Sequence, residues 1–248
     1  MKEKDMKKLV FGVALAAMAM VAFASCARHC PESDFEVEYV DGGRALRITG
    51  YLGDNQRVRI PPQIRGLPVT CIGTNAFVGK NLTGVRIPNS VTDIWRSAFG
   101  DNQLTRVRIP NSVIRIGPRA FADNQLSRVR IPNSVTNILS NAFADNQLTN
   151  ITIPNSVTVI GFGAFQGNQL TRVRIPDSVT LIEPNAFAFN RLTYVNIPDS
   201  VSYIGFGAFE GNLLTSVTIP SHTNIRTGVT ETWGRAETFD SEVTITRR

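Results

Sequence analysis

The sequence predicts a solenoid: short parallel β-strands stacked in 22-residue coils, with a capping segment at each end. Three ladders in one register predict it. Leucine stands at Leu82, Leu104, Leu126, Leu148, Leu170, Leu192 and Leu214; proline at Pro88, Pro110, Pro132, Pro154, Pro176, Pro198 and Pro220; phenylalanine at Phe77, Phe99, Phe121, Phe143, Phe165, Phe187 and Phe209. Hydrophobic residues make up 42% and charged residues 19% of the 248, enough apolar material for a continuous core and unlike a disordered chain.

One unit, 104–125, reads LTRVRIPNSVIRIGPRAFADNQ. Val107 and Ile109 alternate with Arg106 and Arg108, so the apolar pair points inward and the arginines outward from a short strand. Pro110 has no N–H for a strand ladder and ends the strand at the same corner of each coil. A second extended piece runs from Val113 to Ile116. Ala120-Phe121 closes the coil and Asp123-Asn124 turns back to Leu126. The carboxamide of Asn124, with those of Asn102, Asn146 and Asn168, is placed to satisfy backbone groups at the bend. No coil buries its own apolar edges, so the Leu, Ile and Phe ladders are core. V-x-I elements occur at 58–60, 85–87, 107–109, 129–131, 151–153, 173–175, 195–197 and 217–219. At about 4.8 Å per strand the array is roughly 35 to 40 Å long.

The ends depart from the period, as terminal repeats do. The predicted division is a signal segment at 1–25, a tether at 26–38, an N-terminal cap with a first irregular repeat at 39–81, regular repeats at 82–220 and a C-terminal cap at 221–248. Within the front cap, Tyr39 to Tyr51 reads as a hairpin turning at Gly42-Gly43, and Pro62 to Pro68 as an extended loop. At the far end Val243-Thr244-Ile245 reads as a last covering strand, with Trp233 and Phe239 as lids or, alternatively, as exposed binding aromatics. Glycines at Gly73, Gly117, Gly161 and Gly205 alternate with Trp95, Leu139 and Glu183. Either duplication of a coil pair or alternate packing at a corner accounts for this.

A charged start through Lys8 and an apolar run from Leu9 to Ala24 form a secretory signal pattern, too short and lacking the basic flank of a membrane anchor. The exit Phe23-Ala24-Ser25-Cys26 resembles a bacterial lipobox, in which Cys26 is lipidated. Ala22-Phe23-Ala24 as an ordinary cleavage site is the competing reading. The remaining cysteines, Cys30 and Cys71, form no CxxC pair; they either pair with each other in an oxidising compartment or leave Cys71 as a small core residue.

The repeated pattern N-x-L-T-x-V-x-I-P-x-S-V-T-x-I-G-x-x-A-F resembles the leucine-rich repeats of BspA-like surface proteins of oral bacteroidetes and treponemes, over about Tyr39 to Pro220. GGRALRITGY and VRIPPQIRGLPVTCIGTNAF resemble that family's opening coil. The resemblance implies a leucine-rich-repeat solenoid at the cell surface or outer membrane, or secreted, with an adhesive or protein-binding role. The implied partners are host extracellular matrix or other bacterial surface proteins.

In such repeats the strand after the opening leucine lines the concave face. Its outward positions are Gly84, Arg86, Arg106, Arg108, Arg128, Arg130, Asn150, Thr152, Arg172, Arg174, Tyr194, Asn196, Ser216 and Thr218. Seven of these are arginine, whose fork suits carboxylates, sulfates or phosphates. The candidate partner-binding residues are Arg86, Arg106, Arg108, Arg128, Arg130, Arg172, Arg174, Tyr194 and Asn196, facing an acidic protein segment or a sulfated glycan. The plainer reading is a solvated repeat face. The net charge is +6, of which the first eight residues carry +2, so the basicity is not a tail.

Enzyme chemistry has no candidate. His29 and His222 lie outside the regular array, no nucleophile elbow occurs, and Asp101, Asp123 and Asp145 recur at a turn, one per coil. No cofactor or metal is expected. The export pattern, and Tyr194 as the lone aromatic of the face, argue against nucleic acid. The alternative function is a lipid-anchored structural component of the cell envelope, held to the membrane by Cys26 and lacking a host ligand.

Overall fold

The computed structural model describes residues 29–225, 228–230, 234–236, 239 and 243–248. The expected signal segment, Cys26 and Trp233 lie outside the described residues. The chain is a β-solenoid with three backbone ladders along its axis.

The first ladder is the strand of the V-x-I element. Arg57–Arg59, Gly84–Arg86, Arg106–Arg108 and Arg128–Arg130 pair in parallel and in register. Where eight such strands were expected, coil 151–153 forms only single bridges, through Thr152 to Arg130 and Arg174. Val173–Arg174 then pairs with Val195–Asn196, and Ser216–Ile219 with Thr244–Arg247, the last strand foreseen after the array. Burial alternates as the sequence requires: Arg106 and Arg108 are exposed, Val107 and Ile109 buried.

After each strand the proline carbonyl accepts the amide three residues on, as in Val113 to Pro110 at 3.1 Å, and the chain enters the second ladder. This ladder runs from Ala45–Tyr51 through Leu67–Ile72 and Asp93–Ile94 to Arg115–Ile116, and again from Asn137–Ile138 to Asn224–Ile225. A third set of bonds crosses coils behind the phenylalanines, such as Phe121 N–H to the Ala142 carbonyl at 3.0 Å.

Two side-chain columns run through the core. Rings from Phe77 to Phe209 stack coil on coil with centroids 5.1 to 5.8 Å apart, and Phe239, 2% exposed, continues the column 5.3 Å beyond Phe209. Burying each ring contributes about 2 to 3 kcal/mol. Beside them stands a column of carboxamides. Asn124 Oδ1 accepts the Leu104 amide at 3.0 Å, and its Nδ2 donates to the carbonyls of Phe99, Phe121 and Ala122 at 2.9, 3.3 and 3.0 Å. The same four contacts recur at Asn102, Asn146, Asn168, Asn190 and Asn212.

Each coil also places two residues in the left-handed region, for example Arg119 and Asp123, both at φ 55°. The second of these positions holds Asp101, Asp123 and Asp145, which tolerate that conformation, Gly79, Gly167 and Gly211, for which it is unstrained, and Phe189 at φ 54°.

Several expectations change at the front. Phe35–Val40 pairs antiparallel with Ala45–Tyr51, and Phe35 is buried against Tyr51 and Phe77. Cys30 N–H already reaches the Arg59 carbonyl at 3.0 Å, so the chain joins the folded body at residue 30 and not at 39. The stretch expected as a long loop is a hairpin: Gln63–Ile64 pairs with Leu67–Pro68 across Arg65 and Gly66 at φ 52° and 76°, values that match a tight two-residue turn. Cys30 and Cys71 are free thiols. Cys71 is not a core residue: Ile72 takes the inward position, and Cys71 stands half-buried in an outward column with Asp93. Burial raises its pKa.

The glycine alternation has a packing cause. A Cβ on Gly117 would lie 2.6 Å from the Trp95 carbonyl carbon and 2.7 Å from the Arg96 nitrogen, so at this corner a coil with glycine nests against the backbone of one with a side chain. Trp95 extends back over the preceding glycine coil, that of Gly73, where Arg47 stacks on its ring at 4.1 Å.

Asn124→Ala orphans the Leu104 amide in a buried corner and should lower stability by about 2 to 4 kcal/mol, whereas exposed Gln125→Ala should be near neutral. Denaturant midpoints compare the two. Gly117→Ala should cost about 1 to 3 kcal/mol by overpacking, while at Gly84 the nearest atom to an added Cβ is Arg57 Cγ at 3.7 Å and alanine should be tolerated. Equal thermal midpoints for these two variants would contradict the corner-packing account.

Candidate functional site

The first ladder fixes two columns of outward side chains. One runs Arg57, Gly84, Arg106, Arg128, Asn150, Arg172, Tyr194 and Ser216; the other Arg59, Arg86, Arg108, Arg130, Thr152, Arg174, Asn196 and Thr218. Their alternation with buried Val58, Val107, Val173 and Val195 forces them outward, and parallel in-register pairing puts like residues about 4.8 Å apart. All seven arginines named from the sequence stand exposed on this one sheet, as do Tyr194, 66% exposed, and Asn196.

Sequence reasoning missed Arg57 and Arg59. Both flank Val58, whose V-x-I element was recognised, so the signal was present; the hairpin insertion between that element and the next coil obscured that the strand joins the same sheet. With them the sheet carries nine arginines.

Off this sheet some arginines are charge-compensated and some are not: Arg44, Arg65, Arg96, Arg191 and Arg247 have no carboxylate partner among the described residues. Arg47, Arg115, Arg119 and Arg248 each hold a carboxylate, of Glu38, Asp93, Asp123 and Asp199. Among the described residues, none of Arg86, Arg106, Arg108, Arg128, Arg130, Arg172 and Arg174 has such a partner, and neither column contains an acidic residue. Stacked like charges repel modestly and raise the local positive potential.

Three hollows open on the sheet. One of about 380 Å3 is lined by His29, Arg86, Asn89 and Arg108 above Ile60 and Pro62; one of about 660 Å3 by Arg106, Arg128 and Arg130 with Thr105 and Ser127; and one of about 500 Å3 by Asn150, Thr152, Asn155, Arg172, Arg174 and Tyr194. All combine guanidinium donors with hydroxyl or amide groups.

The turn aspartates are structural. Asp101, Asp123 and Asp145 all occupy left-handed positions, and Asp123 Oδ2 accepts from Arg119 at 2.7 Å. Burial, with Asp123 nearby, raises the pKa of Asp145. Among the described residues no group of three His, Cys, Asp or Glu side chains is arranged to hold a metal.

A family model described as a BspA type leucine rich repeat region, in six copies, matches residues 70–190 and 115–231. Among curated protein sequences none matches. Of solved structures, a leucine-rich repeat protein from Bacteroides ovatus is 27% identical, with a TM-score of 0.54 over 75% of this chain and 46% of its own. The pneumococcal vaccine antigen PcpA is 21% identical, with a TM-score of 0.51 over 79% of this chain and 58% of its own. The T. pallidum leucine rich repeat protein is 29% identical, with a TM-score of 0.49 over 77% of this chain and 81% of its own. The chain thus spans less than two thirds of the length of two of these three proteins. Its repeats, its ladders and the family match agree: this chain belongs to the BspA-type leucine-rich repeat family, a non-catalytic repeat class.

Proposed function

We propose that the chain is an exported adhesion module, at the cell surface or secreted, that binds an acidic protein segment or a sulfated glycan through the arginine sheet, the face expected to be concave. One observation carries this reading: seven exposed arginines stand in two columns with no carboxylate partner among the described residues, whereas four arginines elsewhere hold one. Guanidinium forks are weakly hydrated and donate in parallel pairs, so an array of them at strand spacing suits ligands with several carboxylates or sulfates. The family resemblance adds attachment to host matrix proteins or to other bacteria. Rigidity favours the same reading, since ladders on three sides hold the columns in register before any ligand arrives and little ordering entropy remains to be lost.

The front hairpin and the Thr244–Arg247 strand serve as caps that cover the ends of the core. Lipidation of Cys26 would tether the module to a membrane close to where the chain joins the folded body.

Purified chain should bind immobilised extracellular matrix proteins or heparin saturably at physiological salt. Replacing Arg106, Arg108, Arg128 and Arg130 together by serine should weaken that binding at least about 100-fold, with an unchanged unfolding transition. Undiminished affinity in the quadruple variant would sink the assignment, as would wild-type binding confined to low salt. In cells, Cys26→Ser should move the chain from the membrane fraction to the soluble fraction; retention in the membrane would exclude lipidation there.

A further inference from the structure

Within the run from Arg106 to Arg174 both arginine columns are interrupted together at one coil. Asn150 and Thr152 hold the two outward positions between the pairs Arg128/Arg130 and Arg172/Arg174, and Thr152 is bridged in register to Arg130 and Arg174. Short side chains in a row flanked by long ones leave the hollow of about 500 Å3, within the range of small-ligand pockets. Its rim carries Tyr194, two thirds exposed, with no ring or hydrogen-bond partner among the described residues. Aromatic rings on sheet surfaces ordinarily pack against a cross-strand neighbour. This one stands open beside two guanidinium groups.

We propose that this hollow is a subsite for an acidic sugar residue. Arg172 and Arg174 take its carboxylate, the amides of Asn150 and Asn155 and the hydroxyl of Thr152 take its hydroxyl groups, and Tyr194 packs against the C–H face of its ring. The proposal rests on the reading of the arginine sheet as the binding surface and gives that surface a ligand class. A simple polyanion would be better served by arginine at 150 and 152, as in the coils on both sides. An acidic peptide carries its carboxylates on flexible stems and offers no rigid hydroxylated ring, so the adjoining pairs Arg106/Arg108 and Arg128/Arg130 suit it better. Two charged forks, three neutral hydrogen-bonding groups and one open aromatic face together match a ring that bears a carboxylate and several hydroxyls.

Calorimetry of the full chain at physiological salt would compare sialyllactose, a glucuronic acid-terminated disaccharide, neutral lactose and heparin. At least one acidic saccharide should bind and lactose should not. Tyr194→Ala should weaken that binding at least about tenfold and by a clearly larger factor than it weakens heparin, and Arg172→Gln should weaken the acidic saccharide similarly. Circular dichroism matching the unaltered chain controls for folding. If heparin or matrix protein binds and neither acidic saccharide does, the subsite is overturned and the adhesion reading stands; if nothing acidic binds, both fall. Saccharide binding indifferent to Tyr194→Ala places the sugar elsewhere and overturns the subsite. So does a polyglutamate peptide that binds in a Tyr194-dependent way where the saccharides do not.

Discussion

A 22-residue coil turns so tightly at one corner that its buried backbone groups find too few partners within the coil, and the carboxamides from Asn102 to Asn212 meet that demand. Each one bonds a phenylalanine carbonyl three residues earlier and, one turn back, a leucine amide 20 residues earlier and a second phenylalanine carbonyl 25 residues earlier. The Phe121 carbonyl receives both Asn124 and Asn146, so successive coils are coupled rather than merely adjacent. An unsatisfied amide here would have no water to turn to, which makes the contact obligatory. Much else inherits its geometry. A coil spacing set by amide bonds brings the phenylalanine rings to a 5.1 to 5.8 Å stack and holds the V-x-I strands in register. Register in turn aligns the arginines into columns, so the character of the outer surface is fixed by contacts inside the core.

The regular array was legible in the sequence because its signals are periodic and independent. The leucine, proline and phenylalanine ladders gave the coil, the two-residue alternation gave strand and outward face, and the asparagines were correctly assigned to the bend. Phe239, read as a lid or an exposed aromatic, is buried and stacks on Phe209, the last ring of the repeat column. Where periodicity stops, legibility falls. The antiparallel strand from Phe35 to Val40 starts earlier than the reading from Tyr39 allowed, since Phe35 is defined as core only by Tyr51 and Phe77, which are distant in sequence. The hairpin across Arg65 and Gly66 was hidden because its short strands carry little alternation. Cys71 looked like core because small residues are often buried, but the side of a strand it faces depends on a register that only pairing with Asp93 reveals.

The candidate site was legible as a pattern and incomplete as a surface. Outward positions follow from alternation alone, so seven arginines could be named, yet joining Arg57 and Arg59 to them needs the knowledge that their strand pairs with Gly84–Arg86. The absence of counter-charges could not be read either. Arg115 and Arg119 are as common in type as Arg106, but the first two lie within reach of Asp93 and Asp123 through the coil path. Only the folded arrangement shows which arginines are neutralised.

That asymmetry bears on the proposed binding role of the surface. Exposed ion pairs contribute little to stability, so the pairs at Arg115 and Arg119 do not hold the solenoid together. Nor does the fold need the seven arginines from Arg86 to Arg174 without carboxylates, because the backbone ladders and the buried columns carry the stack. Acidic residues at a few outward positions would relieve repulsion without disturbing any core contact, yet the replacements that occur are neutral: Gly84, Asn150, Thr152, Tyr194, Asn196, Ser216 and Thr218. A face that varies in size and hydrogen bonding but not towards negative charge keeps its positive potential while changing its contour from coil to coil. Potential of one sign draws in acidic ligands and speeds their encounter, whereas contour decides which of them fits. The rigid solenoid supplies the first along most of its length and concentrates the second where the arginine rows break at Asn150 and Thr152.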